Sequence, residues 1–193
     1  METEMNNKIL IMTYGRFSIP HLGHIYLIDQ MLDALSENPD ADIKIFLTDS
    51  SNTRPDENPL SFEDKRYFLI KSIGEEFESI IDDEPHNNFV ELISEIADMG
   101  YTDLILFVGE DRVSDFENIL VNYGDFESFQ VMNAGERNPE SDDIDGISGT
   151  KIREFILNND YKSYEESISS NLTDDEKTEM FNLIRENLMF ERE

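Results

Sequence analysis

KILIMTYGRFSIPHLGHIYLIDQ, residues 8–30, is the stretch that decides the fold. Its apolar run at residues 9–12 is short, β-branched at two positions and closely followed by Gly15, which is typical of a buried strand. After Pro20, apolar residues recur at the spacing of an amphipathic helix: Leu22, Ile25, Ile28, Met31, Leu32 and Leu35. A strand, a glycine turn and a helix start in this order predict an anion site, because the first amides of the helix are free and face the turn.

The histidines of this stretch, His21 and His24, are three residues apart and fall on one face of the predicted helix start. We therefore expect both imidazoles to reach the same bound phosphate. Without further context, such a pair is more often a helix cap or a surface feature. Zinc binding is disfavoured, because the chain has no cysteine and the pair lacks a third ligand at a recognisable spacing.

Composition limits the class of protein. The 193 residues, 38% of them hydrophobic, suffice for one domain with a proper core. The absence of cysteine is consistent with a reducing compartment. The start METEMNNK lacks a basic signal region, and no apolar run approaches the roughly 18 residues of a membrane span. We expect a soluble, cytoplasmic protein with no membrane partner.

The formal net charge of -29 opposes binding to a nucleic-acid backbone over most of the surface. Residues 5–28 nevertheless contain no acidic side chain. Over half of the 15 Lys and Arg residues fall in loops or helix starts that we assign to one site: Arg16, Arg54, Lys65, Arg66, Arg112, Arg137, Lys151 and Arg153. This pattern favours an anionic small molecule as ligand; the alternative is scattered surface charge.

Downstream, apolar patterns predict strands alternating with helices. Strands are expected at residues 41–48, 77–81, 103–108 and 128–132, the second of these as a short edge strand. Helices are expected after the N-cap Ser61, at residues 89–99, from the cap Asp111 through residue 122, and after Thr150. The predicted fold class is α/β, a Rossmann-like doubly wound parallel sheet of about five strands.

Two divisions of the chain follow. Residues 1–160 are predicted to form the Rossmann-like domain, and residues 161–193 a C-terminal helical extension. In the extension, Thr173 and Glu176 form a capping box ahead of an apolar stripe. That stripe packs either on the same domain or on a partner subunit, which leaves a homo-oligomer possible.

In a doubly wound sheet, ligands bind beyond the carboxyl ends of the strands. Loops at that edge are predicted at residues 15–24, 49–61, 109–112 and 134–150. The last loop ends in Ser148, Gly149 and Thr150 before a helix, with Arg153 one turn in. Hydroxyls and free amides at a positive helix end imply a second anion site; an ordinary Ser/Thr helix cap is the alternative.

The segments GRFSIPHLGH and ISGTKIR resemble the paired signatures of the nucleotidyltransferase superfamily that carries HxGH and ISSTxxR-like motifs. SNTRPDENPLSFEDK is similar to a segment of archaeal-type nicotinamide mononucleotide adenylyltransferases. VGEDRV and NAGERNPE, with GISGTKIRE, are similar to nucleotidyltransferase-like proteins encoded by tailed bacteriophages, for which the compartment would be the host cytoplasm. The resemblance covers roughly residues 8–160. It departs from the family pattern at Ile19, where a proline is usual, and at Lys65, where an arginine is expected.

The resemblance implies attack by an acceptor phosphate oxygen on the α-phosphorus of a nucleoside triphosphate, with pyrophosphate leaving. Its catalytic residues would be His21, His24 and Arg153. Its nucleotide-binding residues would be Gly15, Arg16, Phe17, Gly109, Asp111, Arg112, Ser148, Gly149 and Thr150. Its acceptor-binding residues would be Ser51, Thr53, Arg54 and Asn58. Mg²⁺ would be held mainly by the nucleotide, with no metal ligand assigned to the protein.

Several of these roles have plain structural alternatives. Arg16 either binds a phosphate or stabilises its own loop, and Phe17 either stacks on the base or belongs to the core. Asp111 and Arg112 either bind ligand or cap and pair at a helix start. His86 is expected to be a surface histidine. For the whole chain, the preferred hypothesis is adenylyl transfer from ATP to nicotinamide mononucleotide; the alternatives are cytidylyl transfer to a small phosphorylated alcohol and a non-catalytic nucleotide-binding or assembly protein.

Overall fold

The computed structural model describes residues 7–49, 56–134 and 147–190. Its strands are β1 (Ile9–Gly15), β2 (Asp42–Leu47), β3 (Asp103–Val108) and β4 (Ser128–Asn133). Its helices are α1 (Leu22–Glu37), α2 (Phe62–Ile73), α3 (Phe89–Asp98), α4 (Val113–Tyr123), α5 (Gly149–Leu157), α6 (Tyr161–Glu166) and α7 (Asp174–Phe190). Short 3₁₀ turns occupy Glu75–Ile80 and Glu110–Arg112.

The sheet confirms the predicted Rossmann-like α/β class. Its strand order is β2-β1-β3-β4, and β3 pairs in parallel with both β1 and β4. Adjacent positions are Ile9 with Asp103 and Asp103 with Ser128. The continuous apolar sequence of β3 suits its central place, because a strand covered on both faces needs no polar alternation.

Among the described residues, the sheet has four strands rather than about five. The predicted edge strand at residues 77–81 is wrong, because Glu75–Ile80 is a 3₁₀ turn. Gly74 has a φ of +112°, which redirects the chain directly after α2, and the Phe77 amide donates to the Gly74 carbonyl at 3.1 Å. The apolar side chains at this turn fit a strand and a 3₁₀ turn equally well by sequence.

A second correction concerns Asp111, which does not cap α4. The chain after Gly109 forms a 3₁₀ turn, in which the Arg112 amide donates to the Gly109 carbonyl at 2.9 Å. Arg112 then occupies the position before α4 without a side-chain cap. In contrast, the predicted caps at Ser61 and at Thr173 with Glu176 are confirmed.

The chain forms two compact units. Among the described residues, the first unit comprises 7–14, 27–46 and 88–134. Its core joins residues of the sheet to those of α3 and α4: Leu10, Met12, Phe46, Phe89, Leu92, Ile93, Ile96, Leu104, Leu106, Val108, Phe116 and Leu120. This unit therefore holds most of the sheet.

The second unit comprises residues 15–26, 47–49, 56–87 and 147–190 of the described chain. Its core gathers the loop after β1, α2, and the C-terminal helices: Ile19, Leu60, Phe68, Ile152, Ile156, Tyr164, Ile168, Leu172, Met180, Phe181, Ile184 and Leu188. The apolar stripe of α7 is therefore buried within its own chain. The boundary at residue 160 stays a prediction. In the described part of the chain, no helix is long and apolar enough to cross a membrane.

Candidate active site

His21 caps α1 with its own side chain. Its Nδ1 accepts from the Gly23 amide at 3.1 Å, so a neutral ring carries its proton on Nε2. The fit depends on Gly23, because a Cβ there would lie 3.0 Å from His21 Cε1. Burial lowers the pKa of His21 to about 4. His21 is therefore a neutral N–H donor with a fixed tautomer at neutral pH.

The amides of the first turn of α1 are occupied within the protein. Leu22 N donates to Ser167 O at 3.0 Å, Gly23 N to His21 Nδ1 at 3.1 Å, and His24 N and Ile25 N to His21 O at 2.9 and 3.2 Å. The expectation that these amides are free for an anion is wrong. The start of α1, which carries the HxGH motif, instead offers its side chains to a ligand.

Three rings form a stacked set that we call the ring column: Phe17, His24 and His21. The ring centroids of Phe17 and His24 are 4.4 Å apart, and those of His24 and His21 are 3.8 Å apart. Phe17 is only 4% exposed and has a φ of 44°, a left-handed conformation that costs a bulky residue about 1–3 kcal/mol. Phe17 thus belongs to the core, and its ring stacks on His24 at one end of the ring column.

His24 has one unsatisfied polar atom. One ring nitrogen is hydrogen-bonded to the Ile19 carbonyl, while Nδ1 is buried and has no partner among the described residues. Burial, and then the neighbouring His21, lower the pKa of His24 well below its usual value. A buried polar atom without a partner costs free energy, so Nδ1 is a candidate contact for a bound ligand.

The start of α5 is built differently. Ser148 is its N-cap, and its Oγ accepts from the Lys151 amide at 3.3 Å. The amides of Gly149 and Thr150 donate to no residue in the described ranges. Gly149 lies close to two polar side chains, because a Cβ there would be 3.2 Å from Ser18 Oγ and 3.5 Å from Arg153 Nη1. The Ser-Gly-Thr segment therefore offers backbone donors next to an arginine.

Arg16 and Arg153 meet at Glu57. Arg16 Nη1 pairs with the Glu57 carboxylate at 2.6 Å, and Arg153 Nη1 donates to the Glu57 carbonyl at 3.0 Å. Arg153 Nη2 also donates to Thr150 Oγ1 at 3.0 Å. Burial lowers the pKa of Arg153 and the Glu57 carboxylate opposes this shift. Two guanidinium groups are thus held beside the open end of α5.

Lys65 is completely buried in α2. Its Nζ donates to the Arg16 carbonyl at 3.0 Å and also to the Thr48 carbonyl. Burial lowers the pKa of Lys65 to about 8; Asp49 opposes this shift and Arg16 adds to it. The sequence places Lys65 among the basic residues of the site but indicates no role for it.

The structure brings some of the predicted site residues together. The second unit holds Gly15, Arg16, Phe17, His21, His24, Asn58, Ser148, Gly149, Thr150 and Arg153. Gly15 accepts from the Thr48 amide through its carbonyl at 3.0 Å, and Asn58 is 1% exposed. Gly109, Asp111 and Arg112 belong to the first unit. Ser51, Thr53, Arg54 and Arg137 lie outside the described residues.

Two further residues behave differently from expectation. His86 is not a plain surface residue, because its Nε2 lies 3.1 Å from Asp82 Oδ1 and its amide donates to the Leu47 carbonyl. Arg66 bonds the Asp82 carbonyl and Glu78 rather than the residues around the ring column. Glu78 and Asp82 lie 12 and 16 residues after Arg66, so no local pattern could have shown the two contacts of Arg66.

Residues 12–155 match the family model for cytidylyltransferase-like proteins. The chain belongs to this family. The matched range includes the ring column, the start of α5 and Arg153, so the family assignment covers the site just described. This makes the protein a nucleotidyltransferase. No curated protein matches the chain significantly.

Solved structures share the fold of this nucleotidyltransferase. One is the Plasmodium falciparum nicotinic acid mononucleotide adenylyltransferase complexed with APC, with a TM-score of 0.54, 15% identity and 96% of each chain covered. Another is a Vibrio parahaemolyticus protein assigned as a nicotinate-nucleotide adenylyltransferase, with a TM-score of 0.56 and 14% identity, covering 91% of this chain and 99% of that one. At these identities the similarity shows the fold alone.

Proposed function

We propose that this nucleotidyltransferase transfers an adenylyl group from ATP to the phosphate of a pyridine mononucleotide, with nicotinamide mononucleotide as the first acceptor to test. The observation that carries the proposal is the ring column, which presents a fixed Nε2–H donor on His21 and an unpartnered Nδ1 on His24. The segment at residues 51–65 supports this acceptor through its resemblance to the archaeal-type enzymes. The two structural neighbours are named for the related nicotinic acid mononucleotide.

In the proposed reaction, an acceptor phosphate oxygen forms a bond to the α-phosphorus of ATP while the bond to the β-phosphate oxygen breaks. The nucleophile is already ionised near neutral pH, so the site needs no general base. Alignment and stabilisation of developing charge supply the catalysis. His21 donates its Nε2–H to a phosphate oxygen. Because it is neutral and fixed by Gly23, it needs no proton from solvent.

His24 acts in a second way. Its hydrogen bond to the Ile19 carbonyl takes the ring N–H, so Nδ1 bears a lone pair while the ring is neutral. Phosphate charge beside Nδ1 raises the pKa of the ring. We propose that His24 takes up a proton when the triphosphate binds and then donates to a phosphate oxygen.

The start of α5 would hold the leaving pyrophosphate. Gly149 and Thr150 supply amides, Ser148 a hydroxyl, and Arg153 and Arg16 positive charge. Mg²⁺ would enter with the triphosphate and neutralise its charge; the described residues contain no group of three or more His, Asp or Glu side chains suited to a metal ion. Ser51, Thr53, Arg54 and Asn58 are proposed to bind the acceptor.

Pyrophosphate release tests the proposal directly. ATP and CTP are each supplied with Mg²⁺ and with nicotinamide mononucleotide, nicotinic acid mononucleotide or a panel of small phosphorylated alcohols. Release that requires ATP and a pyridine mononucleotide is the expected result. Release with CTP and a phosphorylated alcohol would replace the substrate assignment, and nucleotide binding without release from any pair would contradict catalysis.

A further inference from the structure

We propose that Lys65 is a positioning residue of the active site, whose ammonium group holds the Arg16–Phe17 peptide in the conformation that aligns the ring column. This inference rests on the proposed function, because it adds a residue to that site. The two hydrogen bonds of Lys65 go to backbone carbonyls and not to the rings. It acts through the backbone of the loop between β1 and α1.

The ammonium group of Lys65 is buried and lies between two backbone carbonyls. Lys65 is 0% exposed, and its Nζ donates to the Arg16 carbonyl at 3.0 Å and to the Thr48 carbonyl. These carbonyls belong to different loops, one after β1 and one after β2. A buried charge is tolerated only when it is hydrogen-bonded, and an apolar side chain here would leave both carbonyls without this donor. Lys65 therefore ties the two loops together.

Lys65 holds the peptide group that joins Arg16 to Phe17. The Arg16 carbonyl is part of the same peptide group as the Phe17 amide, and the φ of Phe17 is 44°. A left-handed φ at a bulky residue persists only where the surroundings impose it. The bond from Lys65 fixes the orientation of this peptide plane. Removing the bond allows the plane to rotate toward an unstrained φ.

The Phe17 ring connects the held peptide to the two histidines. The Phe17 ring is buried and stacks on His24, which in turn stacks on His21. Rotation of the Arg16–Phe17 peptide would move the Phe17 ring. This ring is the end of the ring column that stacks on His24, so the histidines would lose their packing partner. Misplacement of a catalytic group by about 1 Å is enough to cost roughly 100-fold in rate.

Burial of Lys65 also affects its charge, but its two hydrogen bonds do not require that charge. The charged groups that face it are Asp49, beyond β2, and Arg16, beyond β1. Burial outweighs the attraction of Asp49 and lowers the pKa of Lys65 to about 8. The unfolded side chain has a higher pKa, so between these values the unfolded state binds more protons and stability contributed by this group rises with pH. A neutral amine keeps two N–H groups and can still donate to the Arg16 and Thr48 carbonyls, so the test requires substitution of Lys65 rather than a change of pH.

The experiment compares Lys65→Met with Lys65→Arg in the full chain. The protein has three histidines, so the imidazole NMR spectrum contains His21, His24 and His86, the last serving as an internal reference. In Lys65→Met we expect the His21 and His24 resonances to move, His86 to stay, and kcat to fall at least about 10-fold with little change in KM. Lys65→Arg, which can still donate to both carbonyls, should retain most of kcat and the wild-type resonances.

A folded Lys65→Met protein with unchanged His21 and His24 resonances would overturn the proposal, whatever its melting temperature. If this variant does not fold, Lys65→Gln replaces it, because its carboxamide is polar but its nitrogen is one bond closer to the backbone and is expected to fall short of the two carbonyls. Movement of the His21 and His24 resonances in Lys65→Gln supports the proposal, and wild-type resonances in that folded variant overturn it. The NMR result requires no substrate, so it is independent of whether the proposed reaction occurs.

Discussion

Helices α1 and α5 both begin at loops that the sequence predicts to bind anions, yet they use their N-termini differently. In α1 the first-turn amides donate to Ser167 and to His21. In α5 the amides of Gly149 and Thr150 have no acceptor among the described residues. The same pattern of strand, loop and helix therefore predicts free amides without showing which protein groups already accept them.

The two helix starts also differ in charge. At α1 the imidazoles are buried, and burial lowers the pKa of both His21 and His24. At α5 the hydroxyl residues are exposed, and Arg153 and Arg16 bring positive charge. We infer a division of roles, in which α1 orders two imidazole rings for the reacting phosphate and α5 supplies amides and cations for the leaving group.

The largest effect is expected from removing a ring at α1. His24→Ala should lower kcat about 100- to 1,000-fold, the usual loss for one preorganised donor to the transition state. His86→Ala is the matched control, because His86 pairs with Asp82 and has no assigned role in the site. Steady-state pyrophosphate release measures both variants. Equal rates for His24→Ala and wild type would remove α1 from the mechanism.

The cap at α1 makes stability depend on pH. The pKa of His21 is about 4 in the folded protein and near 6.5 when unfolded, so stability from the neutral ring is complete above pH 6.5 and lost as pH falls toward 4. The full contribution is about 3 kcal/mol. Asn at this position caps without titrating, so denaturant unfolding of His21→Asn should show a shallower acid loss than wild type. Parallel pH profiles would contradict the buried neutral ring.

At α5, one pair of variants separates the amide from the hydroxyl. Thr150→Val removes Oγ1, which accepts from Arg153, but keeps the amide. Thr150→Pro removes both, at a first-turn position where proline is tolerated. Calorimetry with tripolyphosphate should show about 10-fold weaker binding for the proline variant than for the valine variant. Equal affinities would show that this amide does not contact the anion.

The smallest effect concerns the counterion of Arg16. Glu57→Gln removes the carboxylate that pairs with Arg16 but keeps the backbone carbonyl that accepts from Arg153. Because the pair is partly exposed, tripolyphosphate binding should tighten by no more than about 5-fold, and less in high salt. Weaker binding would instead mean that Glu57 orients Arg16 for the ligand.

The sequence predicted the regular elements well where one pattern dominated. The predicted strand at residues 103–108 has the observed bounds, because a continuous apolar run ends at Gly109. The Ser61 cap and the Thr173 capping box are also correct, since each depends on residues three apart. The predicted strand at residues 77–81 is wrong, because the backbone turn at Gly74, rather than apolar spacing, decides the local structure.

The site was predictable only in its residue types. His21, His24 and Arg153 were identifiable from motif spacing, but the stacking of the rings and the occupied amides were not. Ser167 accepts from Leu22, and Lys65 donates to Arg16 across 49 positions, so both contacts depend on tertiary folding. Glu57 was missed because an acidic residue argues against an anion site until its arginine partners are known.

Titration with a non-hydrolysable ATP analogue and Mg²⁺ tests the division of roles most directly. NMR follows the imidazoles of His21 and His24 together with the backbone amides of Gly149 and Thr150, with the His86 imidazole as reference. We expect both rings and both amides to respond with one dissociation constant while His86 does not. Binding of the analogue that leaves the His21 and His24 rings unchanged would contradict it.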